Sequence, residues 1–432
     1  MSEWMDGTLS AASDGRLRMG GLAVSDLAKE YGTPLYLLSD DAVIANSRAF
    51  ADTLKAHYPG PSRIAFASKA LDCTHIYRVM REQGIGADVV SAGELYTARR
   101  AGMPPEDLIF HGNNKTLSEL TYALDERVGC IVVDNQEELR TLGELCEKRR
   151  QKATIALRLK PGVEAHTHEF IRTGGVDSKF GFDLEPAKQA ARDAMGMPGL
   201  ELTGVHCHIG SQIFEAEPFA LAVKVLMRFM RELSDETGHT LTDLNLGGGY
   251  GVRYTGADRP RAISEAARAT ALAVAETAAE LGYPLPRLIL EPGRSLVAAA
   301  GLTVYTVGCV KDIPGVRTYV SVDGGMGDNP RYTLYGALYD ALLADRALEP
   351  RTKTVTVSGR CCETDTLIPG VALPDGVKAG DFLAVLCTGA YNYALASNYN
   401  RVPRPPIVAV RDGKAKLVVR RETLEDLVKC DL

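Results

Sequence analysis

Residues 202–249 read LTGVHCHIGSQIFEAEPFALAVKVLMRFMRELSDETGHTLTDLNLGGG. The stretch opens on an apolar run and closes on a second one. Between them Phe219, Val223, Leu226, Met230 and Leu233 recur at intervals of four, three, four and three. That spacing lines one face of a helix with apolar side chains, so the stretch reads as strand, helix, strand.

The same unit repeats on both sides. From about residue 60 the runs RIAFASKA, GADVVSAG, DLIFHGNN, CIVVDN, TIALRLKPG, LTGVHCHIG, DLNLGGG and RLILEPGR alternate with segments of helical period. Eight strand-helix units in one block predict a closed (β/α)8 barrel rather than an open sheet. After Arg294 the pattern changes to period two in LTVYTVGCV, RTYVSVDGG, KTVTVSG and FLAVLC, followed by a hairpin turning at Asp412 and Gly413. The early run TPLYLLS is an extra strand ahead of the eight. Assigning it to the later strands makes the all-β domain discontinuous, with 40–293 as barrel and 1–39 plus 294–432 as the β domain.

Composition narrows the function. A chain of 432 residues exceeds what one core usually supports, and 45% apolar residues with a net charge of −6 are those of an ordinary globular enzyme. No basic field points to nucleic acid. The amino terminus lacks the apolar core of a signal peptide, and no run has the length of a membrane span, which predicts a cytoplasmic protein. The nine cysteines form no C-x-x-C pair, and no metal is expected.

The glycines of NLGGGYG, 245–251, call for a close approach to the backbone. A dinucleotide fingerprint fails, because Val252 stands three after Gly249, and no Lys-Ser or Lys-Thr pair follows for a P-loop. Every one of the eight runs ends in a polar residue or glycine: Lys69, Asp88 with Ser91, His111, Asp134, Arg158, His208, the glycines 247–249, and Glu291. In a barrel these ends converge on one face, where the fold collects its chemistry. A lysine, a carboxylate, an imidazole and a glycine-lined phosphate site suit pyridoxal phosphate. A desolvated lysine would carry it, a carboxylate would keep its ring nitrogen protonated, and backbone amides would bind its phosphate.

On these residues, and on GTPLYLLSDDAV, AFASKA, FHGNNKT, RLKPGVEAHTHEFIRTGGVDSKFGF, VHCHIGSQI, NLGGGYG, EPGRSLVA, NPRYTLYGA, GRCCETDTL and GAYNYALASNYN, the chain resembles the fold-type III pyridoxal phosphate decarboxylases, an alanine racemase-like fold, over nearly its whole length. Within that family it is most similar to members acting on diaminopimelate. The resemblance implies that Lys69 carries the cofactor, Glu291 meets the pyridine nitrogen and His208 stacks on the ring, while His206 is packing. Ser211, Gly248, Gly249, Gly293, Arg294 and Tyr391 are the implied phosphate contacts. Asp88 and Arg158 read either as cofactor neighbours or as a buried structural pair.

The substrate end is implied in the same way. Arg294, Arg331 and Tyr335, with Tyr391, resemble a grip on a distal carboxylate, and Glu363 resembles a partner for a distal ammonium. Relatives acting on ornithine carry aspartate directly after the reactive cysteine, whereas Cys362 is followed by Glu363. The implied reaction is decarboxylation of meso-2,6-diaminopimelate to L-lysine, with ornithine, arginine or a carboxylated polyamine as alternatives. Cys362 is implied to return the proton, acting with Glu363 in the neighbouring subunit of a homodimer. One departure stands out: the family reads Cys-Glu-Ser-x-Asp, and here the acid falls one residue early, at Asp365, so that aspartate's role does not carry over. A loop around RTGGVDSKFG is the segment expected to close over the site.

Overall fold

The computed structural model describes residues 8–163 and 178–432. Most of RTGGVDSKFG lies outside them. The chain forms two compact units: the described residues of 46–251 with Pro260–Ser295, and those of 8–45 with Val252–Arg259 and Leu296–Leu432.

The first unit is a closed barrel of eight parallel strands in sequence order. They are Ser62–Ala67, Gly86–Val89, Leu108–Phe110, Cys130–Val133, Ala153–Arg158, Leu200–His206, Asp243–Asn245 and Arg287–Leu290. Each falls on one of the eight runs. The last closes on the first through the register Leu288 to Ser62 and Leu290 to Ile64. Ala65, Ile109, Val132, Ala156 and Ile289 pack together inside as part of the barrel core.

Helices follow the strands because the loops supply their caps. Ser91 accepts the Glu94 N–H, Asn135 accepts the Glu138 N–H, and Thr116 with Glu119 forms a reciprocal capping box. Ser91, read as part of the polar ring, is thus a helix cap. Helix Glu217–Thr237 buries all five side chains of the apolar face read from its spacing. Each such side chain contributes about 1.5–3 kcal/mol when fully buried.

The second unit is built on a mixed sheet. Among the described residues, seven of its nine strands run in the order Thr366–Leu373, Lys353–Ser358, Arg317–Val322, Gly301–Ile313, Leu35–Ser39, Ile407–Arg411 and Lys414–Val419, and Phe382–Val385 pairs with Gly301–Ile313 and Ala341–Leu343. The early strand Leu35–Ser39 therefore does sit among the later ones, antiparallel to Gly301–Ile313 and parallel to Ile407–Arg411. Leu35, Leu37, Leu302, Val304, Val408 and Val410 form its core. The final hairpin turns through Asp412 and Gly413 with φ of 51° and 68°, the left-handed pair a two-residue hairpin turn requires.

The strand Thr366–Leu373 was not legible as one, because Pro369 and Gly370 interrupt its pattern. Among the described residues it pairs only with Lys353–Ser358, at the sheet edge where a proline costs no ladder bond. The unit also carries helix Val24–Tyr31 and is not purely β.

Candidate active site

In the barrel unit, polar groups gather at the carboxyl ends of the strands around Glu291, which follows the eighth strand and is 4% exposed. Its Oε1 accepts from Nδ2 of Asn245 at 2.6 Å and faces Nε2 of His111 at 2.8 Å. Its Oε2 lies 3.3 Å from Nε2 of His206. Burial alone would raise the Glu291 carboxyl, but the two imidazoles outweigh it and hold the group well below the usual carboxylate range. Glu291 is a buried carboxylate kept ionised.

His206 corrects the expectation that it is packing. Strand alternation turns it inward, where it meets Glu291 and stands edge to face with His111, ring centroids 4.6 Å apart. Burial pushes its imidazole down to about 3, so the ring is neutral and donates through Nε2. His208, two residues on, is half-buried. Burial, with the positive charges of Lys69 and Arg158, holds its imidazole well below the usual value.

Asp88 and Arg158 do not form the pair considered for them. Arg158 Nε lies 3.9 Å from Asp134 Oδ1, and its guanidinium covers the Phe180 ring at 4.2 Å. Asp88 instead faces His111, with Oδ1 3.8 Å from Nε2. Burial pushes the Asp88 carboxyl up, an effect His111 only partly offsets.

Lys69 stands on the short 3-10 turn Ser68–Ala70 beyond the first strand. Its neighbours Ser68 and Ala70 are buried, but the lysine itself is exposed, contrary to the desolvated lysine expected. Its charge still reaches the site, where it acts on Asp88 and His208.

The glycines at 247–249 are fixed by their neighbours. A Cβ at Gly248 would meet the Glu291 carbonyl oxygen at 2.2 Å, and one at Gly249 would meet that of Gly210 at 2.5 Å. Gly247 and Gly249 also have φ of 64° and 121°. Beside them Arg294, 7% exposed, donates through a terminal nitrogen to the Ser211 hydroxyl at 2.8 Å. A Cβ at Gly293 would meet that of Ala67 at 2.9 Å.

In the second unit, Arg331 is 6% exposed. It donates to the Tyr339 hydroxyl at 2.7 Å, and the rings of Tyr254, Tyr339 and Tyr391 lie 4.9, 5.7 and 5.8 Å from its guanidinium carbon. Among the described residues no carboxylate pairs with it, and its Nε has no hydrogen-bond partner. A buried cation with no anion beside it is chemically suited to bind one. Tyr335, four residues on, is exposed, as are Cys362 and Glu363.

His206, Asn245, Tyr254 and Tyr339 are the polar partners that sequence reading did not select. His206 and Asn245 are the last residues of their strands, whereas the tyrosines come from distant loops.

Residues 41–298 match the family described as pyridoxal-dependent decarboxylase, pyridoxal binding domain. The diaminopimelate decarboxylase of Bacillus subtilis (strain 168) is 47% identical over 99% of this chain and 98% of its own. Among solved structures, the diaminopimelate decarboxylase of M. jannaschii in complex with L-lysine superposes with a TM-score of 0.92 at 34% identity, covering 99% of this chain and 98% of that one. That of Helicobacter pylori complexed with L-lysine gives 0.85 at 30%, covering 94% and 98%.

Proposed function

The chain belongs to the diaminopimelate decarboxylase family, and on that premise we propose that it binds pyridoxal phosphate and converts meso-2,6-diaminopimelate to L-lysine and carbon dioxide. The observation that carries the reading is Arg331, a buried guanidinium in a tyrosine cage with no carboxylate partner among the described residues. Ornithine and arginine have no second carboxylate to offer it. Diaminopimelate does.

The donor set fits the cofactor. Glu291 is a buried carboxylate held ionised, suited to a protonated pyridine nitrogen. The backbone at Gly248 and Gly249, where no Cβ fits, lies in the same unit as the Ser211–Arg294 pair, a donor set suited to phosphate. Lys69 would carry the cofactor, with His208 against its ring, Asp88 and Arg158 nearby, and Gly293 and Tyr391 completing the phosphate contacts. Pyridoxal phosphate supplies an electron-withdrawing ring that takes up the electron pair left when carbon dioxide departs.

The chain's own residues do the rest. Arg331, with Arg294, Tyr335 and Tyr391, orients the distal carboxylate, and Glu363 accepts the distal ammonium. Cys362 delivers its Sγ proton to the α-carbon and regains one from solvent. Cys362 and Glu363 are exposed, which suits a homodimer in which they act on substrate bound by the partner. Among the described residues no helix is long and apolar enough to cross a membrane, and we place the enzyme in the cytoplasm.

The test is carbon dioxide release by the purified protein with added cofactor, offered meso-diaminopimelate, ornithine and arginine in parallel, with the amine identified. L-lysine from meso-diaminopimelate alone is expected. Turnover of ornithine or arginine instead would overturn the assignment of Arg331. The Lys69→Ala variant should lose the visible absorbance of the lysine-bound cofactor, and an unchanged spectrum would remove Lys69 from its role.

A further inference from the structure

The Cys362–Glu363 tip is held from two sides. On one side stands Asp365, the acid that falls one residue early. It is 3% exposed and adopts a left-handed φ of 42°. Its Oδ1 accepts the Met326 N–H at 2.6 Å, its Oδ2 accepts the Cys361 N–H at 2.7 Å, and its carbonyl accepts the Gly359 N–H at 2.7 Å. Two of these bonds close the 359–365 turn on itself, and the third pins it to the loop at 325–326. The fit leaves no slack: a Cβ at Gly325 or Gly359 would meet Asp365 Oδ2 at 2.5 or 2.2 Å. Arg360 adds a further tie, its N–H donating to the Gly324 carbonyl at 2.9 Å.

On the other side stands the turn Tyr399–Arg401. Asn400 Oδ1 accepts the Cys362 N–H at 2.9 Å, and the Tyr399 hydroxyl donates to Glu363 Oε1 at 2.5 Å. Asn400 has a φ of 51°, a conformation asparagine tolerates better than most residues. Cys362, Glu363, Tyr399 and Asn400 are all exposed. An exposed thiol and carboxylate on a turn would otherwise sample many positions, and proton delivery needs a fixed one. Two adjacent side chains here reach the two adjacent residues of the tip.

We propose that Asn400 and Tyr399, with Asp365 beneath them, are positioning residues that hold Cys362 and Glu363 in their working geometry. This rests on the reading above that Cys362 returns the proton. Asp365 anchors the base of the turn, and Asn400 fixes the thiol's own backbone.

Asn400→Gly is the discriminating variant, because it removes the acceptor while keeping the left-handed backbone accessible at an exposed site. With meso-diaminopimelate as substrate, its kcat should fall roughly tenfold, the scale of one lost hydrogen bond, with cofactor absorbance and KM little changed. Asn400→Asp, which keeps the oxygen, should recover most of the rate. Tyr399→Phe should instead raise KM, since its partner Glu363 binds substrate. Cys362→Ala is run beside them. If it is slow while Asn400→Gly and Tyr399→Phe keep wild-type kinetics, the positioning role is wrong and the thiol's role stands. If Cys362→Ala itself keeps wild-type kcat, the thiol's role fails, and the positioning role fails with it.

Discussion

His206 Nε2 and Glu291 Oε2 stand 3.3 Å apart inside the barrel, a neutral imidazole donating to a buried carboxylate. His111 and Asn245 serve the other oxygen. A depressed carboxyl contributes stability above its unfolded value, near pH 4, and loses it as the pH falls through the folded value. Replacing His206 with leucine removes one donor from a buried charge. The cofactor-free protein should lose about 1–3 kcal/mol at pH 7, measured by urea unfolding, with His206→Gln recovering part of it. An unchanged midpoint would mean that Oε2 does not depend on His206.

Gly248 faces the carbonyl oxygen of Glu291 with no room for a methyl group. Gly248→Ala must displace that backbone, at about 1–3 kcal/mol, and with it the carboxylate meant for the pyridine nitrogen. Weaker cofactor binding in a titration of the cofactor-free protein is the expected result. Wild-type affinity would show that the strand ends yield without cost to the site.

Arg331→Ala should lower kcat/KM for meso-diaminopimelate by about 30-fold or more, since truncating a buried charge that binds an opposite charge costs about 2–5 kcal/mol. Arg331→Lys should rescue poorly, because a point charge cannot replace the planar fork. Steady-state kinetics on both variants decide. A small effect would move the distal carboxylate elsewhere.

Asp328 sets a pH dependence in the sheet unit. Burial pushes its carboxyl up to about 7, although the Tyr305 hydroxyl and the Gly325 N–H both donate to it. The folded state therefore keeps a proton that the unfolded state releases near pH 4. Stability contributed by this group is full below that pH and falls by up to about 1.4 kcal/mol per unit until about pH 7. Asp328→Asn should flatten that slope in unfolding measured from pH 4 to 8. A slope identical to wild type would assign it to another group.

The barrel was legible because each of its eight runs is short, apolar and ends in a polar residue or glycine, and because one intervening helix shows its buried face in plain spacing. The edge strand Thr366–Leu373 was not legible, since Pro369 hides the alternation that its single partner still permits. The candidate site was legible as a set of residue types, not as partners. Nothing local distinguishes a packed His206 from one bonded to Glu291, or pairs Arg158 with Asp134 rather than Asp88. The cage around Arg331 draws tyrosines from positions 254, 339 and 391, and only folding brings them together.

The strand Leu35–Ser39 lies between Gly301–Ile313 and Ile407–Arg411. The ribosome makes this strand first of the three and completes the whole barrel before either neighbour exists. During synthesis LYLLS is thus an apolar segment with both edges open, able to pair with other nascent chains. The sheet has a high contact order and closes last, when the carboxyl-terminal hairpin emerges. A chain cut short before Ile407 would keep its barrel sequence yet leave its own first long strand half unpaired.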